Sequence, residues 1–160
     1  MKPDTRDKLL LVGAKAIVAA LARHGLKGRD VARLPAVDPF AGEACLVIEA
    51  CRAGHVLVLD RPVARLPERL VQRLAGIVMR RHLPAEPLQP GDVILRDRMA
   101  LVVLPAALAD QLAEEAAEAI AFEEFTAEQV NQGGGVYGLH IPSGERAKQA
   151  FAQWRRLKGR

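Results

Sequence analysis

The chain has 160 residues and a mass of 17.3 kDa, which suits one domain (1–160) burying about two thirds of its unfolded surface. Half of the residues are hydrophobic but only 4% are aromatic, so Leu, Val, Ile and Ala must fill the core. The net charge of +4 is uneven, because residues 106–130 hold seven acids and no Lys or Arg, leaving +11 elsewhere. The arginines are scattered, without the interleaved aromatics that stack bases, which weighs against nucleic acid as a partner. No run reaches the ~18 apolar residues of a membrane span, so a cytoplasmic protein without a membrane partner is expected.

Lys2, Arg6 and Lys8 precede LLLVGAKAIVAALA, which looks like a secretory signal until Lys15 interrupts it and Arg23-His24 follows. Leu10, Ala14, Ile17, Leu21 and His24 recur at helical spacing instead, and Gly25 suits the C-terminal cap. Gly25 to Pro39, with Gly28 and Pro35, reads as a loop, and Ala44–Ile48 as a short apolar strand. Cys45 and Cys51 lie six apart, which is neither a CxxC nor a zinc spacing, so they are expected as small buried hydrophobes in a reducing compartment. His24, His55, His82 and His140 form no close pair, and no metal site on His or Cys is expected.

HVLVLD (55–60) is a β-branched strand introduced by Gly54. Pro67 suits the first turn of a helix through Leu74, GIVM (76–79) reads as a buried strand, and the prolines of RRHLPAEPLQP exclude a central element. Asp92–Leu95 and Met99–Leu104 flank a tight polar turn and should pair antiparallel. After Pro105 a long helix runs to Val130, with Leu108, Leu112, Ala116, Ala119, Phe122 and Phe125 on one side. NQGGGVYGLHIPSG connects it, through Gly133–Gly135, to a last helix that Ser143 can cap and that Phe151 and Trp154 anchor. Those two aromatics are the natural partners of Phe122 and Phe125. Gly54–Asp60 and Gly91–Asp97 share Gly, Val and Asp in register, and each aspartate reads most simply as a turn residue. Strands alternating with helices, plus one hairpin, make a mixed α/β protein.

Taken in order, PGDVILRDRMALVVLP, AIAFEEF and VYGLHIPSGERAKQAFAQW resemble the C-terminal part of the RraA-like family, which holds the regulator of ribonuclease activity A and the class II aldolases of 4-hydroxy-4-methyl-2-oxoglutarate. Upstream, AIVAALARHGLKG is similar to the family's first helix and ACRAGHVLVLD to its strand ending in aspartate. The resemblance implies a three-layer α/β arrangement: a small curved mixed sheet flanked by helices, with a C-terminal antiparallel hairpin and two C-terminal helices. It also implies a homo-oligomer, trimeric or a multiple of three.

Members active on 2-oxo acids are similar in having a glycine-containing loop after the first aspartate-ended strand, whose amides hold the substrate carboxylate. Their next strand ends in Asp-Gly-x-x-Arg-Asp, whose arginine contacts substrate and whose last aspartate helps place a divalent metal. In this chain Asp60 is followed by RPVARLPERLVQRLA, with no glycine before Gly76, and GIVM runs into Arg80-Arg81-His82. The chain is shorter than usual members, and the missing length falls there. No catalytic residue and no metal ligand therefore carries over. Arg80 and Arg81 at a strand end, with Glu68 as a carboxylate, are the candidate ligand contacts. The competing reading makes them solvated loop arginines and a first-turn helix residue. The expected function is a catalytically weak or inert oligomeric binding or regulatory scaffold, with a protein partner as one possibility. The alternative is a carbon–carbon lyase on a small 2-oxo acid, of aldolase or oxaloacetate decarboxylase type, dependent on Mg2+ or Mn2+.

Overall fold

The computed structural model describes residues 1–26, 38–83, 87–98, 100–133 and 144–159. Most of the expected 25–39 loop, Pro84, Met99, Gly134, Gly135 and the Ser143 cap lie outside them. The chain divides into two compact units, 1–114 and 115–160.

The first unit opens with α1 (Pro3–Arg23). Its end is the one that Gly25 promised. Gly25 takes φ 69°, its N–H reaches the Ala22 carbonyl at 3.0 Å, and the Leu26 N–H reaches that of Leu21 at 3.0 Å. This double bond pattern is the left-handed glycine termination of a helix. The sequence had shown no break within α1, yet Gly13 is non-helical (φ 74°, ψ 170°) and divides the helix in two.

Five strands form one curled mixed sheet in the order β3-β2-β1-β4-β5. They are β1 (Phe40–Cys45), β2 (Val56–Leu59), β3 (Gly76–Met79), β4 (Val93–Arg96) and β5 (Leu101–Leu104). β1, β2 and β3 run parallel, β4 is antiparallel to β1, and β4–β5 is the expected hairpin. A short helix, α2 (Glu68–Val71), lies between β2 and β3.

Two expectations about strands are corrected. The first strand begins at Phe40 rather than Ala44, and Ile48 belongs to a 3-10 turn, Ile48–Ala50. Gly42 and Glu43 hide the strand in the sequence, but Gly42 is required there, since a Cβ would collide with the Gly54 carbonyl oxygen. GIVM is a strand but not a wholly buried one. As the sheet edge it buries Val78 and leaves Ile77 38% exposed.

Alternation along the strands sorts the core into two faces. Phe40, Val56, Val58, Val78, Ile94 and Leu101 pack on one side, joined by Leu83. The opposite side carries Leu57, Val93, Leu95, Val102 and Leu104, and α1 packs against β1, β4 and β5 with Leu9, Ile17 and Leu21 fully or almost fully buried. Each such side chain contributes about 1.5–3 kcal/mol of burial, so aliphatics suffice for this core.

After β5, a 3-10 turn, Ala106–Leu108, leads into α3 (Ala109–Asn131). The second unit holds the later part of α3 and α4 (Glu145–Lys158). Here the expected aromatic partners meet. Phe151 sits edge-on to Phe122 with centroids 5.3 Å apart, and Trp154 lies 5.9 Å from Phe125. Trp154 Nε1 donates to Glu128 at 2.8 Å, and Lys158 pairs with the same carboxylate at 2.7 Å. Acidic and basic helices thus meet at Glu128, beside an aromatic core.

Candidate functional site

Parallel strands place their carboxyl ends on one side of a sheet, and the segments that follow them leave a crevice there. In this chain that crevice has two adjoining lobes of about 300 and 320 Å³, which share Leu46, Val58 and Asp60. β1 leads into Leu46, Val47, Ile48 and Glu49; β2 into Asp60, Arg61 and Val63; β3 into Arg80; Pro87 and Leu88 border the second lobe. The site therefore has an aliphatic lining with two carboxylates, Glu49 and Asp60, and two guanidiniums, Arg61 and Arg80.

Of the residues expected to contact ligand, Arg80 lines this cleft and the other two do not. Arg81 is exposed, with its Nε 3.3 Å from His82 Nε2. Glu68 opens α2 and accepts from Gln72 Nε2 at 3.4 Å, as a first-turn carboxylate does. The sequence reading missed Glu49, which lies just past the expected strand Ala44–Ile48, in a 3-10 turn that the sequence does not signal. It also passed over Arg61, although a residue just beyond the end of a parallel strand is well placed to line such a crevice.

The second aspartate of the shared pattern has another fate. Asp97 Oδ2 accepts the Ala14 N–H at 2.7 Å, where α1 resumes after Gly13, and Oδ1 accepts that of Ala100 at 2.8 Å. Asp92, which is buried, accepts the Gln89 N–H at 2.8 Å and the Ala106 N–H at 3.3 Å. The acids of the hairpin are structural. This explains why a Pro-Gly-Asp, strand, acidic turn, strand, proline order fixes a frame and carries no chemistry.

The cysteines overturn the sequence reading. Cys45 and Cys51 form a disulfide, with Cα atoms 5.7 Å apart, and Cys51 is only half-buried. The cause is the 3-10 turn after β1, which folds the chain back and brings residues six apart within bridging range.

A hard divalent cation needs a shell of about six oxygen ligands. Among the described residues, no three His, Cys, Asp or Glu side chains come together in a way that would hold a metal. The cleft is lined by only two carboxylates, Glu49 and Asp60, together with two arginines, so the donor set does not fit Mg2+ or Mn2+. A planar guanidinium, such as that of Arg61 or Arg80, can present paired donors to a carboxylate. A further hollow of about 390 Å³ lies between α3 and α4, but Glu128, its acid, is already held by Trp154 and Lys158.

Among the described residues no helix is long and apolar enough to cross a membrane. No protein-family model matches the sequence, and no curated protein matches it. Solved structures similar in fold include the following two. One is an uncharacterized protein from Pseudomonas syringae pv. tomato, at a TM-score of 0.57 and 16% identity, over 94% of this chain and 98% of that one. The other is a Streptomyces coelicolor protein described as an unusual member of the RNase ES inhibitor RraA protein family. Its TM-score is 0.55 at 16% identity, over 82% of this chain and 97% of that one.

Proposed function

We propose, on the premise of the RraA-like fold that this chain has, that it is an oligomeric binding or regulatory scaffold, catalytically weak or inert, whose ligand seat is the cleft at the carboxyl ends of β1, β2 and β3. The composition of that cleft carries the reading. Arg61 and Arg80 line it together with aliphatic residues, where the resemblance would put an amide-rich glycine loop and a metal-placing acid. Pro62, directly after Arg61, has no N–H to offer a substrate carboxylate. The ligand class that fits is a small carboxylate with a short apolar part. The chain is proposed to act in the cytoplasm as a homo-oligomer, trimeric as the resemblance implies. Light scattering that finds a monomer at high concentration rejects the assembly.

Calorimetric titration with pyruvate, with EDTA or with excess Mg2+, tests the seat. Equal affinity in both conditions, lost in Arg80→Ala, is the expected result. No binding in either condition removes the seat.

The second reading is a lyase on a 2-oxo acid. It is favoured by Asp60, an acid–base group that lines the same lobe as Arg80, a positive charge for a developing enolate. Oxaloacetate turnover far above background, abolished in Asp60→Asn, decides for this reading. If that turnover also needs Mg2+ or Mn2+, ligands from a partner chain complete the metal site.

A further inference from the structure

One wall of the cleft is the segment between the two cysteines, residues 46–50, and it has little to hold it. The 3-10 turn Ile48–Ala50 buries no residue, and Leu46 and Val47 are 52% and 55% exposed. Its backbone bonds are local: the Ala50 N–H to the Val47 carbonyl at 3.0 Å, and the Cys51 N–H to that of Ile48 at 3.2 Å. Among the described residues, its anchors lie at its ends. Cys45 pairs with Leu57 in the sheet, and Cys51 precedes a turn in which the Arg52 N–H meets His55 Nδ1 at 3.2 Å. The disulfide joins these two anchors. The Val47 carbonyl oxygen lies 3.1 Å from Cys45 Sγ and 3.5 Å from Cys51 Sγ, so two thiols would find an acceptor already in place.

We propose that the Cys45–Cys51 pair is a reversible redox latch on the cleft: oxidised, it fixes the wall formed by residues 46–50; reduced, it lets that wall open. The importance of the latch for function rests on the cleft being the ligand seat; the latch itself does not. The reductant is a dithiol. Its thiolate attacks the more exposed sulfur, Cys51 Sγ, and the S–S bond breaks with Cys45 leaving as thiolate. The second dithiol sulfur then displaces Cys51, giving a cyclic disulfide and two cysteine thiols, which take up the two protons that the dithiol loses.

The test is amide hydrogen exchange on the full chain, oxidised and after treatment with dithiothreitol, with thiols counted by alkylation and mass. Reduction should expose two alkylatable thiols and speed exchange of residues 46–51 by roughly tenfold, while β1, β4 and β5 keep their rates. Cys51→Ser should show the fast rates without reductant, and reoxidation by glutathione disulfide should restore slow exchange in the native chain. Two alkylatable thiols before any reductant under glutathione disulfide, or unchanged exchange at 46–51 after reduction, overturns the latch. Pyruvate titrated into both forms separates the two proposals. Tighter binding to the oxidised form supports both. Binding to neither, with the exchange difference intact, removes the ligand seat and leaves the latch standing.

Discussion

Gly54 and Gly91 each turn the chain at positive φ, 81° and 87°, into a strand of buried aliphatics, and each strand is followed by an aspartate. Up to that residue the two stretches are alike. Asp97 then finds two backbone N–H groups, because β4 enters an antiparallel hairpin whose returning Ala100 lies opposite and because α1 is broken at Gly13 beside it. Asp60 ends a parallel strand. The chain there must travel through residues 61–75 before it pairs again, so no returning turn meets the carboxylate, which lies exposed on the cleft. The same residue after the same strand pattern is a cap in one case and a site group in the other, and the direction of the next strand decides which.

The largest expected effect is the split between these aspartates. Asp97→Ala removes a charged acceptor from two amides, one of them at a helix start, and should cost about 3 kcal/mol in urea unfolding. Asp60→Ala should stay within about 0.5 kcal/mol, as an exposed substitution does. Equal costs would break the comparison. The shared half is tested by the glycines. Neither has backbone within 4 Å of a new Cβ, so Gly54→Ala and Gly91→Ala pay chiefly for positive φ, about 1–2 kcal/mol each. A neutral result at either position means that the two turns are not equivalent.

Most of the frame was legible because it depends on local signals. Gly25, the prolines around the hairpin and the aliphatic run 56–59 each fix a boundary by backbone chemistry. The misses arise where tertiary placement decides. Phe40-Ala-Gly-Glu reads poorly as a strand, yet Gly42 is what allows β1 to pass the Gly54 carbonyl. Gly13 within an aliphatic helix gives no sign that Asp97, eighty-four residues on, will receive the restarted turn. A six-residue cysteine spacing has no signature, and the bridge depends on the turn that follows β1. Of the residues that line the cleft, Arg80 is the one its place at a strand end had pointed to. Glu49 and Arg61 required knowing that β1 and β2 are parallel neighbours.

The smallest effect concerns a third aspartate, which should behave like Asp97 if donors define its class. Asp110 accepts the Thr5 hydroxyl at 2.6 Å and the Lys2 N–H at 3.2 Å, which ties the start of α1 to the start of α3. The Thr5 hydroxyl, then the Lys2 amide, hold its carboxyl below the usual carboxylate range. A folded value below the unfolded one means that the contribution is present above about pH 4 and fades as pH falls through the folded value. The group is largely solvated, so the effect should be well under about 1 kcal/mol. Thr5→Val keeps the buried shape and removes the donor. Its cost in urea unfolding should therefore be larger at pH 7 than at a pH below the folded value, where the carboxyl is protonated in both proteins and the charge-assisted part of the bond is gone. A cost that does not change with pH would mean that the hydroxyl acts through packing alone, and Asp110 would leave the class that Asp97 defines.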